Sequence, residues 1–290
     1  MSDKGISGKT KVCALIGDPI EHTMSPAMHN AAYKKLGLDY IYIPFRVKPE
    51  QLAQAVEGLR ALNVRGFNVT IPHKVSVIPL LDGLDPLAEK IGAVNTVVNN
   101  DGEFRGYNTD AAGFFEALLE HGIEPEGKKI VVLGAGGASR AITYILAEKG
   151  ARLTVLNRQL ELDWAEDIAE LIYHDLGSEV TVMELGHLPE ALAGADILVN
   201  ATSVGMSPAS EESPVPAKLL RPDLVVFDVV YNPIMTRLLK EASAAGAVTI
   251  GGADMLAWQG ALAFEKWTGQ KAPLDLMRQE AIKILEKENI

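Results

Sequence analysis

The chain has 290 residues, 48% of them hydrophobic and 22% charged, a balance that suits folded domains and excludes disordered or collagen-like polymers. Domains of roughly 100–200 residues predict two of them. The formal net charge of −11 argues against nucleic acid as a partner, because a polyphosphate is repelled overall and any anionic ligand must be held by a local basic group or a helix N-terminus.

Met1–Lys11 is polar, and the apolar run after it is too short for the core of a signal peptide. No segment approaches the ~20 apolar residues of a membrane span. Cys13 is the one cysteine. It sits in Val12-Cys13-Ala14-Leu15-Ile16, where a thiol packs as a small hydrophobe. Without a second cysteine no disulfide forms within the chain, which suits a reducing cytosol and predicts a cytoplasmic protein.

Short runs rich in β-branched and aromatic residues predict strands at Val12–Gly17, Tyr40–Val47, Gly66–Ile71 and Ala93–Asn99. Ser25–Leu36, Glu50–Leu62 and Val75–Ile91 between them read as helices, with Pro26 placed as a first helical residue. The rhythm restarts with strands at Lys129–Leu133, Arg152–Leu156, Glu179–Glu184, Asp196–Ala201, Leu224–Val230 and Val248–Ile250. Ala138–Lys149, Trp164–Tyr173 and Met235–Ala245 are the matching helices. Alternation of this kind predicts an α/β protein built on βαβ units. The expected plan is an N-terminal, mostly parallel α/β domain over residues 1–110 and a Rossmann-type doubly wound domain over 111–252. Helices over 253–290 carry Met255, Leu256, Leu262 and Trp267 and are expected to pack back on the first domain.

Lys129–Leu133 runs into Gly134-Ala135-Gly136-Gly137-Ala138-Ser139 and then an apolar helix. In this context Gly134 permits a tight turn, Gly136 lets backbone approach a pyrophosphate, and the helix N-terminus faces the phosphates. Ser139 takes the place of the third glycine. The next strand ends in Asn157-Arg158. Asn157 brings no charge against a 2′-phosphate, and Arg158 pairs with one, which favours NADP over NAD. Glu161, Asp163, Glu166 and Asp167 make the same neighbourhood acidic.

Four further segments place hydroxyl, amide or charged groups just beyond apolar runs, where ligands of parallel sheets bind. They are Ile16–Pro26, Asn68-Val69-Thr70-Ile71-Pro72-His73-Lys74, Gly92-Ala93-Val94-Asn95-Thr96 and Gly106-Tyr107-Asn108-Thr109-Asp110. With Asn200-Ala201-Thr202-Ser203-Val204-Gly205-Met206, Tyr231-Asn232-Pro233 and Trp258-Gln259-Gly260, they resemble the shikimate dehydrogenase family, including its quinate/shikimate branch, over nearly the whole chain.

The resemblance implies reversible NAD(P)-dependent interconversion of 3-dehydroshikimate and shikimate, on the route to chorismate and the aromatic amino acids. By motif position it implies Lys74 and Asp110 as the catalytic pair. Thr23 and Ser25 are implied for the substrate carboxylate, Thr70, Asn95 and Gln259 for ring hydroxyls, and Tyr231 for a place near substrate and nicotinamide; Asp110 also binds substrate. On the cofactor side it implies Gly134, Ala135, Gly136, Gly137, Ala138, Asn157, Arg158, Thr202, Val229 and Gly252.

The chain departs from the family pattern on the substrate side and on the cofactor side. Thr23 stands where serine is usual, and Gln159 and Leu162 stand where NADP-specific members carry threonine and a second arginine. The second departure opens NAD use, as in a quinate/shikimate dehydrogenase. A neighbouring carboxylate raises a lysine pKa and burial lowers it, so both protonation states of Lys74 stay open. A ligand sensor that had lost catalysis would be expected to lack Lys74 or Asp110; both are present. No His, Cys, Asp or Glu cluster has metal-ligand spacing. The expected partner is the small-molecule substrate, with quinate as an alternative, and the expected assembly a monomer or homodimer.

Overall fold

A computed structural model describes residues 5–288; expectations touching 1–4 and 289–290 lie outside the described residues. The chain forms two compact units. Residues up to Thr109, with Gln259–Ile284, make the first, and Asp110–Trp258, with the residues from Leu285 on, make the second.

The first unit is a six-stranded sheet of β1 (Lys11–Gly17), β2 (Tyr40–Arg46), β3 (Gly66–Val69), β4 (Gly83–Leu84), β5 (Thr96–Asn100) and β6 (Glu103–Tyr107), ordered β2-β1-β3-β5-β6-β4. β1 pairs parallel with β2 and β3, and β4 with β6. β5 runs antiparallel to both of its neighbours. Helix α1 (Ser25–Leu36) carries a proline in its first turn and ends on Gly37 at φ 66, with Lys34 and Lys35 complementing the C-terminal dipole. Helix α2 (Leu52–Ala61) buries Leu52, Val56 and Leu59. They join a core with Phe67, Val69, Val97 and Phe104. Cys13 is buried and reduced, and burial pushes its thiol pKa up to about 12, so it packs rather than reacts.

Residues 75–91 depart from expectation. In place of one helix, a 3-10 turn at Ile78–Leu80, strand β4 and helix α3 (Pro86–Ile91) follow each other. Pro79 and Pro86 lack the N–H an unbroken helix needs. Asp85 caps α3 by accepting the Leu87 N–H at 3.0 Å. Strand β6 was also not expected. Its hairpin turn at Asp101-Gly102 has φ of 53 and 101, the left-handed pair that a two-residue hairpin uses.

The second unit holds six parallel strands, β7 (Lys129–Leu133), β8 (Arg152–Asn157), β9 (Val180–Glu184), β10 (Ile197–Asn200), β11 (Val225–Asp228) and β12 (Val248–Gly251). Their order, β12-β11-β10-β7-β8-β9, is that of a doubly wound dinucleotide-binding sheet, reversing direction between β7 and β10. The helices are α4 (Thr109–Glu120), α5 (Gly137–Glu148), α6 (Leu162–Leu176), α7 (Leu188–Leu192), α8 (Arg237–Ala244), α9 (Gly252–Thr268) and α10 (Leu274–Glu288); α4 was not expected from sequence. The division between units falls within α9 and within α10. In the first unit the Trp267 indole N–H donates to the Val97 carbonyl at 2.9 Å, and Arg65 Nε donates to the Trp267 carbonyl at 2.8 Å.

Candidate active site

In the first unit, polar groups on β2 and β3 and at the start of β5 form a connected set with Thr23 and Ser25, which follow β1. Tyr42 Oη donates to Asn68 Oδ1 at 2.6 Å, and the Ser25 side chain interacts with the same phenol oxygen. The Ser25 N–H donates to Thr23 Oγ1 at 3.3 Å. Asn68 Nδ2 donates to the Asn95 carbonyl at 3.1 Å and to Thr96 Oγ1 at 3.0 Å. Asn95 Oδ1 accepts the Thr109 N–H at 2.7 Å, and Asn95 Nδ2 donates to Thr109 Oγ1 at 3.0 Å. Ser25, Asn68, Asn95, Thr96 and Thr109 are all buried, so the bonds answer the cost of burying polar atoms and fix their directions.

Lys74 follows β3 in a turn held at both ends. The His73 N–H donates to the Thr70 carbonyl at 2.9 Å, and the Lys74 carbonyl accepts the Val94 N–H at 2.8 Å. His73 is buried, with Nε2 at 2.6 Å from the Val47 carbonyl. It acts as an anchor for the lysine turn rather than as a reacting group. Thr70 lies against Gly17, where any Cβ would collide with its methyl. Thus Thr23, Ser25, Thr70, Lys74 and Asn95 share the first unit, and Gln259 belongs to it through α9. Asp110 is buried in the first turn of α4 and opens the second unit. Tyr42, Asn68, Thr96 and Thr109 were not picked out individually from sequence, although three of them lie in the polar segments.

In the second unit, Gly134 leaves β7 with φ of +94, and a Cβ there would stand 2.9 Å from the Thr202 methyl carbon. Ser139, fully buried, donates from Oγ to the Gly134 carbonyl at 2.6 Å, so the serine in place of the third glycine ties the turn to α5. Gly136 differs: it is exposed, and nothing of the protein lies within 4 Å of a Cβ built on it. Gly136 is the N-cap of α5, so it adjoins the first-turn N–H groups, which have no partner within the helix. That space, free of side chains and bordered by a helix N-terminus, fits a pyrophosphate.

The remaining residues of this side line the same sheet edge. Thr202 Oγ1 donates to Asn200 Oδ1 at 2.7 Å, and Asn200 Nδ2 donates to Asp228 Oδ1 at 2.9 Å. Asp228 also accepts from Thr236 Oγ1 at 2.6 Å and from the Val230 N–H at 3.1 Å. Burial pushes its carboxyl up to about 6. The Val229 carbonyl backs directly onto Gly252, and Tyr231 follows two residues later, half-buried. Asn157 is buried at the end of β8. Arg158 projects into solvent beyond it and pairs with Glu161, a partner not assigned from sequence.

Three family models match the chain. The shikimate dehydrogenase substrate binding domain covers residues 15–97, shikimate / quinate 5-dehydrogenase covers 117–229, and the shikimate 5′-dehydrogenase C-terminal domain covers 252–282. A shikimate dehydrogenase (NADP(+)) of Dehalococcoides mccartyi is 50% identical over 269 residues, 92% of this chain and 93% of that one. The chain belongs to the shikimate dehydrogenase family. A solved shikimate dehydrogenase in complex with NADP+ superposes with a TM-score of 0.92 at 44% identity, covering 97% of this chain and 98% of that one. The shikimate 5-dehydrogenase of Listeria monocytogenes, in complex with shikimate and NAD, gives 0.89 at 42% identity, covering 96% and 98%. Family members have therefore been solved with either nicotinamide cofactor.

Proposed function

We propose that the chain is a shikimate dehydrogenase that reduces 3-dehydroshikimate reversibly with NADP or NAD. The observation that carries this reading is 50% identity across 92% of the chain to a shikimate dehydrogenase. The open space at Gly136 beside the α5 N-terminus supports the dinucleotide half.

Bound nicotinamide supplies the hydride acceptor or donor. The rest falls to this chain. Thr23 and Ser25 bind the substrate carboxylate, and Thr70, Asn95 and Gln259 bind ring hydroxyls. Lys74 hydrogen-bonds the oxygen on the reacting carbon. As that carbon loses a hydride, the hydroxyl proton leaves through Lys74; in the reverse direction Lys74 returns it. An ammonium there also stabilises developing alkoxide charge. Asp110 completes the catalytic pair and binds substrate. Gly134–Ala138, Asn157, Arg158, Thr202, Val229 and Gly252 hold the cofactor, and Tyr231 binds substrate beside the nicotinamide.

Among the described residues no helix is long and apolar enough to cross a membrane, and we place the activity in the cytoplasm. The assembly is read as a monomer or homodimer, which light scattering distinguishes. The decisive experiment is initial-rate kinetics with shikimate and quinate, each against NADP and NAD. Turnover of shikimate with either cofactor is the expected result; absence of turnover with all four combinations overturns the reading.

A further inference from the structure

At the C-terminal end of β8, Asn157, Arg158 and Glu161 close on one another. Asn157 Nδ2 donates to the Glu161 carbonyl at 2.6 Å. The Glu161 N–H donates to the Arg158 carbonyl at 2.9 Å. These two bonds latch the 3-10 turn Gln159–Glu161 and set where the Glu161 side chain starts. Its carboxylate then accepts two bonds from the guanidinium, Nη2 to Oε1 at 2.6 Å and Nε to Oε2 at 3.2 Å. The Arg158 side chain is 70% exposed and that of Glu161 27%. The fork of the arginine is therefore engaged, on the side a planar anion would use.

We propose that Glu161 sets the cofactor preference of this site by competing with the NADP 2′-phosphate for Arg158, which lets NAD and NADP both be used. The proposal rests on the reading of the Gly134–Ala138 turn as a dinucleotide site. A phosphate monoester carries about −1.5 to −2 charge at neutral pH. To use the Nε–Nη2 edge of Arg158 it must displace a carboxylate already seated there, and at any other edge it is repelled by that carboxylate. No second lysine or arginine lies between Arg158 and Glu170, whereas Asp163, Glu166 and Asp167 all do. The ribose 2′-hydroxyl of NAD meets no such opposition, and a carboxylate at this strand end accepts a hydrogen bond from it. Because the Arg158–Glu161 pair is largely exposed, it opens readily, so Glu161 weakens NADP binding rather than abolishing it.

The test is calorimetric titration of the full chain with NADP+, NAD+, 2′,5′-ADP and 5′-AMP, in wild type, E161Q and E161A. Glutamine keeps the backbone latch to Asn157 and removes only the charge. The expected result is NADP+ and 2′,5′-ADP binding tightened about five-fold, the scale of one exposed ion pair, with NAD+ and 5′-AMP moved less than about two-fold. In an R158A background the E161Q gain should shrink, because its partner is gone. An NADP+ to NAD+ affinity ratio that stays put in E161Q and E161A, while both dinucleotides bind, overturns the proposal alone. An undiminished gain without Arg158 overturns the competition for that residue. Failure of wild type to bind any dinucleotide overturns the underlying reading, and the proposal with it.

Discussion

The phenol of Tyr42 donates to Asn68 Oδ1 at 2.6 Å, and through Asn68 it braces Asn95 and Thr96 from inside the sheet. Burial holds the phenol protonated, its pKa pushed well above the usual tyrosine value, so it stays a donor at every working pH. Y42F leaves a buried amide oxygen without its donor, a loss of ~1–3 kcal/mol. Urea unfolding should register that loss, and the KM for shikimate should rise more than kcat falls. Unchanged values for both would show that the bond positions nothing.

The two glycines of the cofactor turn separate folding from binding. G134A puts a Cβ at φ +94 and 2.9 Å from Thr202, so it should lower stability by ~1–3 kcal/mol. G136A meets nothing within 4 Å and should melt like wild type. Its dinucleotide affinity should nonetheless fall at least about ten-fold, equivalent to ~1.4 kcal/mol. Normal dinucleotide affinity in G136A would exclude a phosphate from that space.

K74A should keep the fold, because Lys74 is fixed by its backbone carbonyl to the Val94 N–H, which alanine retains. Loss of an acid–base group predicts a fall in kcat of ~10²–10⁴. Circular dichroism and turnover, measured together, check both halves. Wild-type-like turnover would remove Lys74 from the chemistry.

Two buried titratable groups give stability a pH dependence of opposite sign. His29 is fully buried, stacks on Tyr42 at 4.4 Å, and has no hydrogen-bond partner on either ring nitrogen among the described residues. Burial lowers its pKa from 6.5 to about 3. The unfolded chain binds that proton more readily, so stability is full above the unfolded pKa and falls as pH drops, by ~2 kcal/mol at pH 5. Burial raises Asp228 from 3.8 to about 6. Its contribution is full below the unfolded value and is lost as pH rises through the folded one, ~3 kcal/mol in all.

In wild type the two opposite trends partly cancel between about pH 4 and 6. D228N should expose the histidine term, so that stability climbs with pH across that window. H29F should expose the aspartate term, so that it declines. Urea unfolding midpoints at several pH values decide the matter; parallel profiles for the two variants would contradict both assignments.

The strand–turn–helix at Lys129–Ser139 was legible because its signals are local: a β-branched run, glycines where the backbone must bend, then apolar helical spacing. Local chemistry also marked the polar segments that hold Thr23, Ser25, Thr70, Lys74 and Asn95, and the family resemblance picked those residues out of them. Residues 75–91 were misread because their apolar spacing outweighed Pro79 and Pro86, which break the helix into a turn, a strand and a short helix. Asp101-Gly102 carried a hairpin signal that went unread and would have revealed β6 and the antiparallel pairings of β5.

By itself the sequence determined the alternation of strands and helices, the glycine turn and the residue types at the strand ends, since each depends on neighbours a few positions apart. Only the tertiary structure decided that Tyr42 and Asn68 tie Ser25 to Asn95, that His73 anchors on Val47, and that Gly136 faces open space while Gly134 does not. Those facts depend on which strands lie side by side. Sheet order brings residues from remote parts of the chain within hydrogen-bond reach, and the spacing along the chain does not encode that order.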